Sequence, residues 1–123
     1  MKQPKVYKRS LKRVFEVESI RFDNKVVEIY DEEASRYRYC DFEDVEFIFN
    51  SGFKDKNGNY IFNGDILEYQ GNKNYIDKLL VEKDVEREFY YLTKNGNYVI
   101  RLMNMREYLV VGNIYENKEL LED

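Results

Sequence analysis

Two acidic runs hold the residues best suited to chemistry, DEE at 31–33 and DFEDVE at 41–46. Paired carboxylates can exchange protons in acid–base catalysis or hold a hard cation such as Mg²⁺. In the second run Asp41, Glu43 and Val45 share one strand parity, so two acids would face together on an extended chain. No nucleophile or imidazole converges on them: the chain has no histidine and a single cysteine, Cys40. That composition excludes a histidine base, a histidine-ligated metal, a serine–histidine triad and a Cys/His structural zinc site within one chain. The runs therefore read as solvated faces, with imitation of DNA by an acidic face as the sharper alternative. No catalytic, metal-ligating or cofactor-binding residue is assigned, no cofactor is expected, and the chain reads as a non-enzyme.

The stretch SGFKDKNGNYIFNGDILEY (51–69) places Gly52, Gly58 and Gly64 six residues apart. A phosphate-cradling loop needs clustered glycines and a helix directly after them. Here DILEYQ (65–70) follows and reads as a strand. An EF-hand also fails, because counting back from Gly58 puts its first ligand position on Phe53. What remains is two tight turns. Asn57-Gly58 suits a type I′ hairpin turn, and Asn63-Gly64 delivers Asp65 and Ile66 into a new strand, with Tyr60 and Phe62 facing away from Ile61. The motif KNGNY occurs at 56–60 and again at 94–98, a match that turn chemistry alone can produce. Gly52, Asp55, Asn57, Gly58, Gly64 and Asp65, with Gly112 and Asn113 near the C-terminus, are assigned as a structural turn motif.

The first thirteen residues hold six Lys/Arg and no acid, so a chain of net charge −4 carries −10 in its remainder. Residues 1–13 read as a basic arm or a solvated edge strand shielded from aggregation by its lysines. Such an arm could also contact nucleic-acid phosphates, each contact adding salt-sensitive affinity, although the acidic remainder opposes this. Arg36 and Arg38 interleave with Tyr37 and Tyr39, which puts a basic face opposite an aromatic one and suits single-strand binding as well as any half-buried strand. Lys8, Arg9, Lys12, Arg13, Arg36, Tyr37, Arg38 and Tyr39 are the candidate interaction surface, and Tyr90, Tyr91 and Tyr108 are further aromatic anchors.

The elements that must position these residues are short strands. VFEVESIRF (14–22) alternates apolar and polar residues, Asp23-Asn24-Lys25 turns the chain, and VVEIY (26–30) returns. RYRYCDF (36–42), VEFIF (45–49), DILEYQ (65–70), EFYYL (88–92), YVIRL (98–102) and YLVVGNI (108–114) follow. YIDKLLVEKD (75–84) is ambiguous and is read as a strand from about Lys78, after a turn at Gly71-Asn72. At the end, Asn117 can cap a short helical turn that packs Leu120 and Leu121. With 12 Tyr, 8 Phe and no linker or composition break, the 123 residues read as one all-β, mainly antiparallel domain, a small barrel with a short C-terminal helical turn. No window approaches the apolar length of a membrane helix, the basic start lacks the apolar run of a secretory signal, and a lone cysteine fits a reducing cytoplasm.

The loop SGFKDKNGNYIFNGDI and the ending YLVVGNIYENKELLED resemble the signatures of the YopX-like family of phage and prophage proteins, and VFEVESIRFDN is similar to its N-terminal half. The resemblance spans roughly 14–123. Ser51 and Phe53 stand where the family has Thr and Leu, Lys118 stands where it has Pro, and PKVYKRSLKR replaces its usual opening strand. The resemblance implies a mainly β fold in a phage-derived setting in the bacterial cytoplasm, and no activity. The leading expectation is a non-enzymatic accessory protein that binds a host or phage protein. The alternative is a nucleic-acid-binding module using residues 2–13 and the Arg36–Tyr39 strand. Strand edges and aromatics leave self-association open.

Overall fold

The computed structural model describes residues 3–71 and 78–122, so residues 75–77 of the ambiguous segment and Asn72 of the expected turn lie outside the described residues. The chain divides into two compact units, Met1–Phe49 and Asn50–Asp123. Their boundary falls inside VEFIFNSGF, which has neither the proline nor the long polar run that marks a linker in sequence.

The first unit is one antiparallel sheet built from β1 (Lys5–Lys8), β2 (Arg13–Arg21), β3 (Val26–Asp31), β4 (Arg36–Asp41) and β5 (Val45–Ile48), in the order β4-β3-β2-β1-β5. β2 and β3 form because their residues alternate: Phe15 and Val17 are buried between exposed Glu16 and Glu18, and Val27 and Ile29 are fully buried. Val6, Phe15, Val17, Val27, Ile29, Cys40 and Val45 make the core, with Phe42 and Phe47 packed against it. The strand within the basic N-terminal segment is not an edge. β1 is paired on both sides, with Val6 opposite Phe15 on one flank and Phe47 on the other.

The expected barrel does not form. The edge strands β4 and β5 are joined by only a 3₁₀ turn, Phe42–Asp44, yet they are not paired with each other. Phe42 meets Phe47 edge-on at 5.3 Å, placing an aromatic contact beside the turn that joins the two edges.

The second unit contains a small hairpin of β6 (Asn50–Lys54) and β7 (Tyr60–Phe62). Its main sheet uses β8 (Asp65–Tyr69), β9 (Lys78–Lys83), β10 (Tyr90–Lys94), β11 (Asn97–Arg101) and β12 (Tyr108–Asn113), in the open order β11-β10-β9-β8-β12. Lys78–Lys83 is therefore a strand, and a 3₁₀ turn, Lys118–Leu121, follows β12. Ile61, Leu67, Leu79, Val81, Tyr90, Leu92, Leu102 and Met105 form the core.

The two KNGN copies adopt different turns. Asn95 and Gly96 both have left-handed backbones (φ 53° and 81°), as a type I′ turn requires between β10 and β11. At 56–59 only Gly58 is left-handed (φ 80°), so the type I′ turn expected at Asn57-Gly58 is absent. A side chain upstream explains the difference.

Candidate functional site

Asp55 organises that first turn. Its Oδ1 accepts the N–H groups of Asn57 (3.0 Å) and Asn59 (2.9 Å), and its Oδ2 accepts the N–H of Val110 (3.1 Å). The loop is closed by the Asp55 N–H donating to the Asn59 carbonyl and the Gly58 N–H donating to the Asp55 carbonyl. A second buried acid, Asp65, accepts the Phe62 N–H at 2.7 Å across the Asn63-Gly64 turn. Gly64 has φ 86°, donates its N–H to the Val81 carbonyl and accepts the Ile114 N–H, each at 2.7 Å. A Cβ there would lie 2.6 Å from the Tyr115 ring. Gly52 donates its N–H to the Asn50 side chain at 2.8 Å.

Gly112 leaves room for the C-terminal turn, since a Cβ would sit 2.7 Å from Leu120 and 2.8 Å from the Asn117 side chain. Asn113 Oδ1 accepts the N–H groups of Tyr115 and Glu116. Asn117 does not cap the 3₁₀ turn with its side chain as expected, but accepts the Asn113 N–H at 3.1 Å. In this motif the glycines supply space and positive φ, while the acids and Asn113 bond backbone.

The candidate interaction surface is divided. Most of its cations are engaged with acids of the first unit. Lys8 pairs with Asp44. Arg9 donates to the Glu43 carbonyl at 2.7 Å and lies 3.6 Å from Glu46. Arg13 pairs with Asp31 (3.0 Å) and Glu33 (2.7 Å) and stacks over Phe15, while Arg38 Nε donates to Asp31 at 2.9 Å. Lys12 and Arg36 are exposed, Lys12 at a turn with φ 55°.

Asp31 is the hub of this network and was legible in sequence only as part of an acidic run. It is buried, and its Oδ1 also accepts the N–H groups of Glu33 and Ala34. Burial alone would push its carboxyl up, but the bonds from Arg13, the Ala34 N–H and Arg38 outweigh that and hold it at about 2. The hydrogen bond from Lys8 outweighs a smaller effect of burial and holds Asp44 below its usual range. Burial pushes the Cys40 thiol up, against the pull of the neighbouring Lys8 ammonium, and burial, with the Glu88 charge adding, pushes the Tyr90 phenol up to about 12. The shared parity expected for Asp41 and Glu43 is broken, because Glu43 lies in the 3₁₀ turn. Among the described residues no three His, Cys, Asp or Glu side chains are placed to hold a metal ion.

The tyrosines of β4 alternate with Arg36 and Arg38 along the strand. On β4, Tyr37 and Tyr39 are 59 % and 58 % exposed, while Cys40 is buried on the other face. Tyr30, opposite Tyr37 in the ladder, meets it edge-on at 5.0 Å, and Glu28 lies opposite Tyr39. An open groove of about 410 Å³ continues this face, lined by Val14, Phe15, Glu16, Glu18, Tyr30 and Glu32 together with the Arg13–Glu33 ion pair. Sequence reasoning missed Tyr30, Glu16, Glu18 and Glu28 here, although their alternation with buried residues on β2 and β3 carries the signal.

Fold and site together define a class: an all-β protein whose described residues form two open five-stranded antiparallel sheets and a two-stranded hairpin, its buried acids tied to backbone N–H groups or arginines. The chain belongs to the YopX family, described as YopX protein, which matches residues 5–122. The match includes β1, where the sequence departs from the family's usual opening. Among solved structures, the crystal structure of protein EF1440 from Enterococcus faecalis is similar, with 25% sequence identity, a TM-score of 0.67 and coverage of 98% of this chain and 97% of that one. No curated protein matches in sequence. Among the described residues no helix is long and apolar enough to cross a membrane.

Proposed function

We propose that this YopX-family chain is a non-enzymatic phage or prophage accessory protein that acts in the bacterial cytoplasm by binding a host or phage protein. The supporting observation is the exposed row of Tyr30, Tyr37 and Tyr39 on the outer face of β3 and β4. Tyrosine is a favoured anchor of protein interfaces because it offers a large contact area at low entropic cost. The absence of histidine from the sequence argues the same way, since it removes the commonest general base. Nucleic acid is the weaker partner, because Lys8, Arg9, Arg13 and Arg38 neutralise acids of their own unit. The test is affinity capture from bacterial lysate with and without nuclease, read by mass spectrometry. A stoichiometric partner that survives nuclease is expected. Loss of every partner after nuclease would transfer the role to nucleic acid.

A further inference from the structure

The outer face of β2, β3 and β4 combines two features that favour the same ligand chemistry. Tyr30, Tyr37 and Tyr39 present their rings to solvent, and the carboxylates of Glu16, Glu18, Glu28, Glu32 and Asp41 flank them on the same strands and turn. Two cations of the chain already use this face: the Arg21 guanidinium lies over the Tyr39 ring at 5.5 Å, and Arg13 lines the groove with its charge paired to Asp31 and Glu33. An aromatic face attracts a cation through its quadrupole, and surrounding carboxylates add to that attraction. The carboxylates are too dispersed to converge on a point ion, as no three acids among the described residues are placed to hold a metal. Dispersed charge over a ladder suits an extended chain of cations, and it repels the phosphate backbone of nucleic acid.

We propose that this face docks a lysine- and arginine-rich segment of a partner protein, with cationic side chains over the tyrosines and in the groove beside Glu16 and Glu18. This rests on the protein-binding reading above and specifies the partner's chemistry. The probe is a fluorescein-labelled peptide of lysine and arginine alternating with serine, titrated with the full chain at physiological ionic strength and followed by anisotropy. Saturable binding is expected. The pair Tyr37→Ser with Tyr39→Ser should weaken it about tenfold, two exposed cation–π contacts being worth that much together. Tyr37→Phe with Tyr39→Phe should restore it, because the ring and not the hydroxyl makes the contact. Glu16→Gln with Glu18→Gln should also weaken binding, whereas Glu86→Gln with Glu107→Gln, equal in charge change but in the second unit, should leave it nearly unchanged.

Any of four results overturns the proposal: no saturable binding, binding indifferent to the serine pair, equal loss from the two glutamate pairs (which would mean bulk charge attraction), or self-association abolished by the serine pair, which would make the occupant a second copy. Lysate capture separates this failure from that of the underlying reading. A protein partner held equally by the parent chain and the serine pair sinks the docking face alone, and the absence of any protein partner sinks both.

Discussion

Replacing Asp55 by alanine removes the acceptor for three backbone N–H groups at once, those of Asn57, Asn59 and Val110. A hydrogen bond to a charged group contributes about 1.5–3 kcal/mol net, and the loss is smaller where water can take over the freed donor. Asn57 and Asn59 sit in an exposed turn, so their N–H groups rehydrate and each loss falls near about 1 kcal/mol. The Val110 N–H is half-buried in β12 and falls nearer the upper figure. The expected destabilisation of Asp55→Ala is therefore roughly 3–5 kcal/mol, a large part of the ~5–15 kcal/mol that holds a typical domain together. Asp55→Asn keeps an oxygen for the turn but sets an amide N–H₂ against the Val110 N–H, and should cost about half as much. Urea unfolding followed by circular dichroism measures the total. Amide exchange at Leu67, Leu92 and Val110 reads the second unit directly. An Asp55→Ala chain within about 0.5 kcal/mol of the parent, with Val110 exchange unchanged, would refute the role given to this carboxylate.

Gly64→Val should cost at least about 1–3 kcal/mol, because a β-branched residue is forced to positive φ and its Cβ meets Tyr115; a Tyr115→Ala partner should relieve only the ring clash, and an unchanged melting temperature would show the turn to be misread. Asp31 sits at about 2 when folded against an ordinary 3.8, so its contribution to stability is complete above about pH 4 and is lost as pH falls through 2. Its carboxyl carbon shift should titrate near 2, and Asp31→Asn should flatten the acid limb of the melting profile; titration near 3.8 would sink the network. Gly112→Ala should push Leu120 and with it the C-terminal turn off β12, giving faster proteolysis after residue 113 with β8 and β12 still paired; equal digestion of parent and variant would show that the turn packs elsewhere.

Sequence reading succeeded where a single face decides the strand. VFEVES and VVEIY alternate, and Phe15, Val17, Val27 and Ile29 are the buried residues that alternation selects. It failed at KVYK, where one buried residue, Val6, stands among lysines and four residues give no usable period. The barrel was over-read for a related reason: short alternating strands say that sheets exist but not whether β4 and β5 close on each other. Turn chemistry was legible at Asn95-Gly96 and misleading at Asn57-Gly58, because the same tetrapeptide follows Asp55 in one case only. The partner that completes Asp55, Val110, lies 55 residues away, and no local pattern reports it. The hub at Asp31 was hidden likewise, since Arg13 and Arg38 reach it only through the register of two hairpins.

The interior position of β1, between β2 and the edge strand β5, bears on how the first unit is made. Its pairing with β2 is local, but its pairing with Val45–Ile48 must bring together segments about forty residues apart, and that ladder closes only after the intervening chain is synthesised. Until then the nascent hairpin shows the ribosome-side environment an unsatisfied strand edge, which its lysines keep from recruiting other chains. A chain trimmed past Lys8 would carry that state permanently. It would open an edge on β2 and another on β5, and would behave as a template for aggregation instead of a smaller version of the same protein.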